Sequence, residues 1–294
     1  MMTIKKTIVC FVGCSALLAF GGCASSDSAK VAPAPVAVVA GQTFPVHDLA
    51  AAEQLLIRQY DNLANDKAID PDSLGYPAGV FRQWMDSLTS SNAASITYPF
   101  NRLQDSAQVS IVTAADGQFR IYSWDNWTGG TMHNFDAVYQ WKGNDGVHAT
   151  KPVPDGEGDP GGWTSRIYTV TINDKPHYLA VSHGVYSTSL RGQLVKAFTI
   201  DEGKLIDTVQ VFKTRSGRLN SIDVSYDMTQ YDEQRGDDQQ LIVYDSLKQV
   251  LYIPVVQEGG ILTTKNLVYA LKAECLQYVG VEEARRGVDS MVRP

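Results

Sequence analysis

Aromatic and polar side chains suited to binding a ligand are concentrated in residues 122–163, which contain four of the five tryptophans. Trp124 and Trp141 end apolar runs and are expected to face the core, whereas Trp127 and Trp163 lie in glycine-rich segments. Carboxylate, amide and imidazole groups occur between these tryptophans: Asp125, Asn126 and His133. A sugar ring needs flat apolar faces beside a few polar groups, and ligand sites in general combine the two. The stretch is therefore a candidate glycan-binding site, although the usual burial of tryptophan favours packing into the core.

A second candidate site is the glycine-rich segment 155–162, in which carboxylates recur at alternate positions: Asp155, Glu157 and Asp159. Such carboxylates can converge on Ca²⁺, which takes roughly six to eight oxygen ligands. The segment resembles the start of an EF-hand loop, but Pro160 stands at the position of the invariant glycine and Arg166 at that of the bidentate glutamate. A true EF-hand is therefore not expected. A looser calcium site, the one cofactor that the sequence suggests, and a solvated acidic turn both remain as predictions.

Well-known catalytic signatures are absent from the sequence. HExxH, paired CxxC, GxSxG and the P-loop do not occur. His133 with Asp125 or Asp136 would supply a base and its orienting group, but no nucleophile is identifiable beside them. Asp125 and Asp136 would instead suit a polysaccharide hydrolase, if their carboxyl groups lay about 5–10 Å apart across a cleft. A non-catalytic domain is therefore the preferred interpretation, and a hydrolase is the alternative.

From residue 108 onward, β-rich runs alternate with turn residues. Asp116-Gly117 lies between two such runs, which is the strongest short hairpin signal, and similar turns follow near residues 145, 173 and 202. Short loops between successive strands predict a mainly β domain over residues 93–280, arranged as an antiparallel meander. Strand order cannot be read from this spacing, so a sandwich, an open barrel and a propeller-like array all remain open.

The segment before the strands has helical periodicity. Apolar residues at steps of three or four form one stripe: Leu49, Ala52, Leu56, Tyr60 and Leu63. A second helix is predicted over residues 78–88, because Pro77 suits a first turn and apolar side chains share one face. Residues 45–92 are therefore expected to form a helical segment that caps the β domain, and residues 281–294 a C-terminal tail.

The N-terminus has the features of a secretory signal. Lys5 and Lys6 precede an apolar run at residues 7–20, which is shorter than the ~20 residues of a membrane-spanning helix. Leu18-Ala19-Phe20-Gly21-Gly22-Cys23 resembles the lipobox of bacterial lipoproteins, with Phe20 in place of the usual aliphatic residue. The resemblance implies cleavage of residues 1–22, diacylglycerol on the Cys23 thiol and acylation of the new amino group. An ordinary secretory signal or an uncleaved anchor is the alternative.

The residues that follow Cys23 predict a tether. Residues 24–42 are rich in Ala, Ser, Pro and Val without a helical period, which is typical of a semi-extended linker. Residues 23–44 are therefore expected to join the lipid to the folded domain. Ala24, rather than Asp, follows the cysteine and resembles the outer-membrane sorting signal of enterobacterial lipoproteins. The expected location is the bacterial cell envelope, at the outer membrane, with the periplasmic and surface sides both open.

Composition narrows the range of partners. The net charge is −7 and the basic residues are scattered, which argues against nucleic-acid binding. Cys10 and Cys14 would leave with the signal peptide, so Cys275 is the one unmodified thiol expected in the domain, buried and inert. The sequence thus predicts a lipoprotein held to the lipid bilayer by acylated Cys23, with a non-catalytic β domain that binds glycan, cell-wall material or an envelope protein. A surface polysaccharide hydrolase and an envelope inhibitor or assembly factor are the alternatives.

Overall fold

The structure, a computed structural model, describes five parts of the chain: residues 48–65, 75–154, 156, 158–230 and 240–284. All of them belong to one unit, residues 41–294. The predicted signal peptide, Cys23 and the predicted tether lie outside the described residues. The described part is mainly β, with antiparallel sheets and three α-helices, which confirms the predicted fold class.

The helices come first along the chain: α1 (Leu49–Asn65), α2 (Gly75–Ser91), a 3₁₀ helix (Ala93–Ile96) and α3 (Asn101–Ala107). The predicted stripe of α1 is observed, since Ala52, Leu56, Tyr60 and Leu63 are buried. α2 begins before residue 78 and ends after residue 88, and so is longer than predicted. None of the helices in the described residues is long and apolar enough to cross a membrane.

The 3₁₀ helix and α3 fall within the range that the sequence predicted to be β. α3 follows Phe100, which adopts a left-handed conformation (φ 48°) and provides no side-chain cap. The backbone N–H of Leu103 instead donates to Oε1 of Glu53, a buried residue of α1, at 3.0 Å. This N–H is one of the first in the helix, which have no partner within it. Because the acceptor lies on another helix, local sequence patterns do not reveal this start.

The described strands are, in chain order, β1 (Ser110–Thr113), β2 (Phe119–Asp125), β3 (Phe135–Lys142), β4 (Val147–Thr150), β5 (Trp163–Ile172), β6 (Lys175–Val185), β7 (Leu190–Asp201), β8 (Lys204–Ile206), β9 (Phe212–Lys213), β10 (Arg218–Leu219), β11 (Ser221–Asp227), β12 (Val243–Asp245), β13 (Val250–Gln257), β14 (Ile261–Lys272) and β15 (Cys275–Glu283). The first sheet has the order β1-β2-β3-β4. The second has the order β11-β7-β6-β5, with β8 paired to β7, and the third the order β10-β9-β15-β14-β13-β12. Each sheet is open.

Turn chemistry explains the hairpins. β1 and β2 pair antiparallel on either side of Asp116-Gly117, as predicted. Asn173 and Asp174, between β5 and β6, have φ angles of 50° and 58°. Two consecutive residues with positive φ form the tight turn whose twist matches that of the flanking strands, and Asn and Asp tolerate it well. The short pairing between β9 and β15, which are far apart in the chain, is parallel and was not predicted.

The first sheet is covered on both faces. Phe119 and Ile121 pack against Phe198 of the second sheet, whereas Tyr122 and Trp124 pack against the helices. Successive side chains of a strand point to opposite faces, so a strand covered on both sides is buried at successive positions. For this reason β2 reads as a continuous buried run rather than as an alternating one.

The second sheet lies between the other two. Tyr178 and Ala180 of β6 face the first sheet, and Leu179 and Val181 face a core shared with the third sheet, which includes Ile253. The result is a stack of sheets packed face to face. The choice among the sandwich, the open barrel and the propeller-like array stays a prediction.

A buried polar network holds the helical layer on the first sheet. Arg120 of β2, only 6% exposed, donates to the carbonyl oxygens of Ser95 and Tyr98 at 2.8 and 2.6 Å. Gln140 of β3 donates from Nε2 to the Thr89 carbonyl and to Ser95 Oγ, both at 2.7 Å. Buried polar groups need such partners because leaving them unpaired is costly. The network therefore fixes where the helices lie above the sheet.

Candidate functional site

A cavity of about 300 Å³ lies where strands of the first and second sheets begin and end. Four of the five residues predicted to bind a ligand line it: Asp125, Trp127, His133 and Trp163. Asp125 ends β2 and Trp163 begins β5, so the two sheets each contribute to the wall. Asn126 is beside the cavity but does not line it. The structure thus brings together residues that the sequence distributes over several loops.

The remaining wall comes from residues that the sequence analysis did not assign to a site: Tyr60, Gln108, Ser110, Trp124, Phe135 and Val185. Tyr60 was predicted only as part of the α1 stripe, and Trp124 only as a core residue. Trp124 is indeed fully buried, and its indole Nε1 has no hydrogen-bond partner among the residues that the structure describes. No local signal identifies these residues, because each reaches the cavity through the packing of a different element.

The loop between β2 and β3 is held at both ends by backbone hydrogen bonds. Asn126 N–H donates to the Asn134 carbonyl at 2.9 Å and closes the loop. His133 N–H donates to the Val185 carbonyl of β6 at 3.0 Å, and Phe135 N–H donates to the Pro160 carbonyl at 2.7 Å. These bonds tie the loop to the second sheet and to the segment that precedes β5. The loop therefore carries Trp127 and His133 as part of a fixed wall.

Glycines permit the close approach of the β2–β3 loop, the segment before β5 and strand β6. A Cβ at Gly161, whose φ is +66°, would lie 2.6 Å from the carbonyl oxygen of Phe135, and one at Gly162 would lie 2.8 Å from that of His183. A Cβ at Gly129 would overlap the carbonyl oxygen of Met132. Glycine avoids these clashes and also tolerates positive φ. The glycine-rich composition that drew attention in the sequence is thus a packing requirement of the site.

Asp125 organises two of the lining residues. Its Oδ1 accepts a hydrogen bond from the backbone N–H of Trp127 at 2.8 Å, and its Oδ2 lies 2.5 Å from Nδ1 of His133. Trp127 has a φ of 58°, a left-handed conformation that a bulky residue rarely adopts. A short-range bond from an aspartate side chain to the backbone two residues on supports such a turn. One carboxylate therefore sets both the backbone of Trp127 and the orientation of the imidazole.

Tyr60 connects helix α1 to Trp127 and Asp125. Nε1 of Trp127 donates to the Tyr60 hydroxyl at 3.1 Å, and that hydroxyl lies 3.4 Å from the carbonyl oxygen of Asp125. Burial raises the pKa of Tyr60 to about 12, an effect that the hydrogen bond from Trp127 opposes. The hydroxyl therefore stays protonated at neutral pH and can accept one bond while donating another. It fixes the Trp127 indole from the side of the helices.

Trp163 lies on a buried histidine. Its ring stacks on His183 of β6 with centroids 4.3 Å apart and an interplanar angle of 12°. Nε2 of His183 is 2.7 Å from Ser165 Oγ, and this hydroxyl in turn donates to Oε1 of Gln240 at 2.8 Å, so His183 is the donor to Ser165. Burial lowers the pKa of His183 to about 4, and the Gln240 side chain opposes the shift. A neutral imidazole is thus a rigid support for the indole.

The geometry does not form the pair of carboxylates that a hydrolase needs. Asp136 lies opposite Trp124 in the register of β2 and β3, whereas Asp125 lies opposite Phe135, so the two carboxylates belong to opposite faces of the sheet. Asp136 pairs with Arg82 of α2 at 3.4 Å. Among the lining residues, Asp125 is the only carboxylate. Asp125 and Asp136 therefore do not face each other across the cavity.

The predicted calcium site lies largely outside the described residues. Asp155 and Glu157 are not described, and Oδ1 of Asp159 accepts a hydrogen bond from the N–H of Gly161 at 2.9 Å. In the described ranges, no three or more His, Cys, Asp or Glu side chains are grouped so as to hold a metal ion. The calcium site at Asp155, Glu157 and Asp159 stays a prediction.

Comparison with known proteins returned no match, whether with family models, with curated proteins or with solved structures. The function of the chain therefore rests on the chemistry of the cavity and on the N-terminal sequence. Two properties of the cavity matter most for that inference: its walls are mainly aromatic, and its polar groups are few and fixed.

Proposed function

We propose that the chain is a lipid-anchored protein of the bacterial cell envelope whose β-rich domain binds a glycan in the aromatic cavity without catalysing a reaction. The observation that carries the proposal is the convergence of Trp127, Trp163, Asp125 and His133 on one cavity. The lipobox-like sequence ending at Cys23 supports the location. A domain held at a bacterial membrane has glycans and cell-wall polymers as its nearest large ligands.

The chemistry of the walls suits a sugar. Trp127 and Trp163 are each half-buried, so part of each indole is covered by protein and part remains accessible. Aromatic faces stack on the C–H groups of a ring, while Gln108, Ser110 and His133 offer hydrogen bonds to hydroxyl groups. The volume lies at the small end of the usual range of ligand pockets. It suits a small saccharide or one unit of a longer chain.

Binding is favoured over hydrolysis because of how the carboxylate is used. Glycoside hydrolysis requires two carboxyl groups that flank the scissile bond, one acting as acid and the other as base or nucleophile. Here Asp125 is engaged by Trp127 and by His133, and Asp136 belongs to the opposite face of the sheet. The polar groups around the cavity therefore serve to orient a bound molecule.

Calorimetric titration of the full chain in detergent tests the proposal. The panel would contain peptidoglycan fragments together with gluco-, manno- and chito-oligosaccharides, each followed in parallel by tryptophan fluorescence. At least one of them should bind saturably and shift the emission, because indoles form the walls. An absence of heat and of fluorescence change across the whole panel would contradict glycan binding.

Substitution of the tryptophans gives a matched control. Trp127→Ala and Trp163→Ala should each weaken binding about tenfold or more, which corresponds to a loss of ~1.4 kcal/mol. Trp141→Ala should leave affinity unchanged, since Trp141 stacks on His148 and donates to the Gly203 carbonyl instead of lining the cavity. Equal losses in all three variants would indicate a general effect on the fold and would count against the site.

The anchor is tested separately. Intact-mass analysis of the native protein should show a chain that begins at Cys23 and carries acyl groups, and Cys23→Ser should move the protein from the membrane fraction to the soluble one. Density fractionation of the membranes should place the native protein with the outer membrane. Retention of residues 1–22, or a Cys23 without lipid, would overturn the proposed location and leave the binding site to be judged by titration.

A further inference from the structure

We infer that the ligand donates a hydrogen bond to Nε2 of His133 and that Asp125 is the positioning residue that makes this possible, by holding the imidazole in the Nδ1–H tautomer. The inference rests on the proposed function of the cavity as a ligand site. It goes further by stating what the polar edge of the ligand must present. That edge carries a hydroxyl or N–H donor beside an apolar face.

The tautomer follows from the contact between His133 and Asp125. Nδ1 lies 2.5 Å from Oδ2 of the carboxylate, a distance within the range of a hydrogen bond to a charged acceptor. An ionised carboxylate has no proton to donate, so the proton in this contact belongs to Nδ1. In a neutral ring the other nitrogen then carries a lone pair and acts as an acceptor.

Nε2 is the atom of this ring that remains for a ligand. In the part of the chain that the structure describes, no hydrogen-bond partner of Nε2 is present, and the side chain is 39% exposed. The imidazole is flanked by the rings of Phe135 and Trp127, each with its centroid 6.3 Å away. Because these rings flank the imidazole, a bound molecule meets its edge, which carries Nε2, and not its face.

The rest of the lining agrees with a ligand that donates. No Lys or Arg is among the lining residues, and the faces of aromatic rings carry partial negative charge. The indole N–H of Trp127 is already used by Tyr60. The aromatic faces and Nε2 of His133 therefore suit hydroxyl or N–H groups of a ligand, while the indole N–H of Trp124 is a donor in the same wall.

Asp125→Asn is the sharpest variant for this inference. The amide oxygen can still accept the N–H of Trp127, so the left-handed turn is preserved, while the amide NH₂ faces Nδ1 of His133. An NH₂ group donates, so Nδ1 must then accept and the proton moves to Nε2. The substitution changes Nε2 of His133 from a hydrogen-bond acceptor into a donor and leaves its position unchanged. Asp125→Ala, in contrast, removes both contacts.

¹⁵N NMR of the full chain labelled in its histidines measures the tautomers directly. At pH 8.5, His133 should show the Nδ1–H form in the native chain and the Nε2–H form in Asp125→Asn. His148 is an internal reference of the opposite kind, because its Nε2 lies 2.7 Å from Asp145 Oδ1 and must carry the proton. A native His133 with the proton on Nε2 would overturn the inference and leave glycan binding untouched.

Affinity completes the test. For the saccharide that binds best, Asp125→Asn should weaken binding about 10- to 100-fold, while the melting temperature stays near that of the native chain. Replacing the donating hydroxyl of the saccharide by hydrogen should weaken binding to the native chain and have little further effect on Asp125→Asn. Equal affinity of both chains, once the tautomer has switched, would overturn the inference but not the binding function. A native chain that binds no saccharide would overturn both.

Discussion

Three histidines of this chain each lie against a tryptophan, and their hydrogen-bond partners differ: Trp127–His133 with Asp125, Trp141–His148 with Asp145, and Trp163–His183 with Ser165. A carboxylate orients an imidazole by accepting a hydrogen bond from one ring nitrogen, whereas at His183 a hydroxyl accepts from a ring that burial keeps neutral. The same pair of residue types therefore serves different purposes. At the cavity, the pair with Asp125 offers a polar atom and the pair with Ser165 offers a rigid support.

His183 makes stability depend on pH. Its pKa is about 4 in the folded chain against an ordinary value of 6.5, so the unfolded chain binds a proton that the folded chain does not. The free energy of unfolding should therefore fall as the pH drops from about 6.5 toward 4, by up to roughly 3 kcal/mol from this group. Urea unfolding at a series of pH values measures the slope.

His183→Gln is the matched variant for that slope. The glutamine amide can donate to Ser165 as the imidazole does, but it does not titrate. Burial also lowers the pKa of His177, so part of the slope should persist in the variant. An unchanged slope in His183→Gln would show that His183 is protonated as readily in the folded chain as in the unfolded one.

Tyr60→Phe tests the link between helix α1 and the cavity. The change removes the acceptor of the Trp127 indole N–H and should cost about 1–2 kcal/mol of stability. It should also weaken ligand binding several-fold, because the indole loses its fixed orientation. Denaturant unfolding and calorimetry measure the two effects. Tyr252→Phe is the control and should change stability by less than about 0.5 kcal/mol, since Tyr252 lies away from the cavity.

At the scale of elements, α3 depends on a single buried side chain. Glu53 accepts the Leu103 N–H at 3.0 Å, and its other oxygen is 3.3 Å from the Tyr98 hydroxyl. Glu53→Ala should destabilise the fold by about 2–3 kcal/mol, because one buried and one half-buried donor lose their acceptor. Glu53→Gln keeps one oxygen for Leu103 and should cost less. Thermal and urea unfolding compare the two, and similar losses for both would contradict the capping role.

The elements also show what the sequence can predict. The α1 stripe and the hairpin at Asp116-Gly117 arise from local periodicity and local turn chemistry, so both were predicted. The start of α3 and the pairing of β9 with β15 depend on groups far apart in the chain, so neither was. β2 was also predicted, from its β-rich residues beside that turn, although a strand covered on both faces loses the alternation by which strands are recognised.

For the molecule as a whole, the cavity exists because layers meet. Trp127 comes from a loop of the first sheet, Trp163 from the edge strand of the second, and Tyr60 from the helices. Trp127 and Trp163 were predicted to bind a ligand because they lie in one stretch of sequence with unusual composition. Tyr60 and Val185 were not, since only the stacking of helices and sheets brings them to the same place.

The five tryptophans allow a direct test of the central claim, that the aromatic cavity is the ligand site. Labelling the full chain with 5-fluorotryptophan gives one ¹⁹F NMR signal for each, which single substitutions assign. Addition of the best saccharide should shift the signals of Trp127 and Trp163 most and leave Trp84 and Trp141 in place, because those two do not line the cavity. Saturable binding that moves Trp84 or Trp141 while Trp127 and Trp163 stay unchanged would contradict the account.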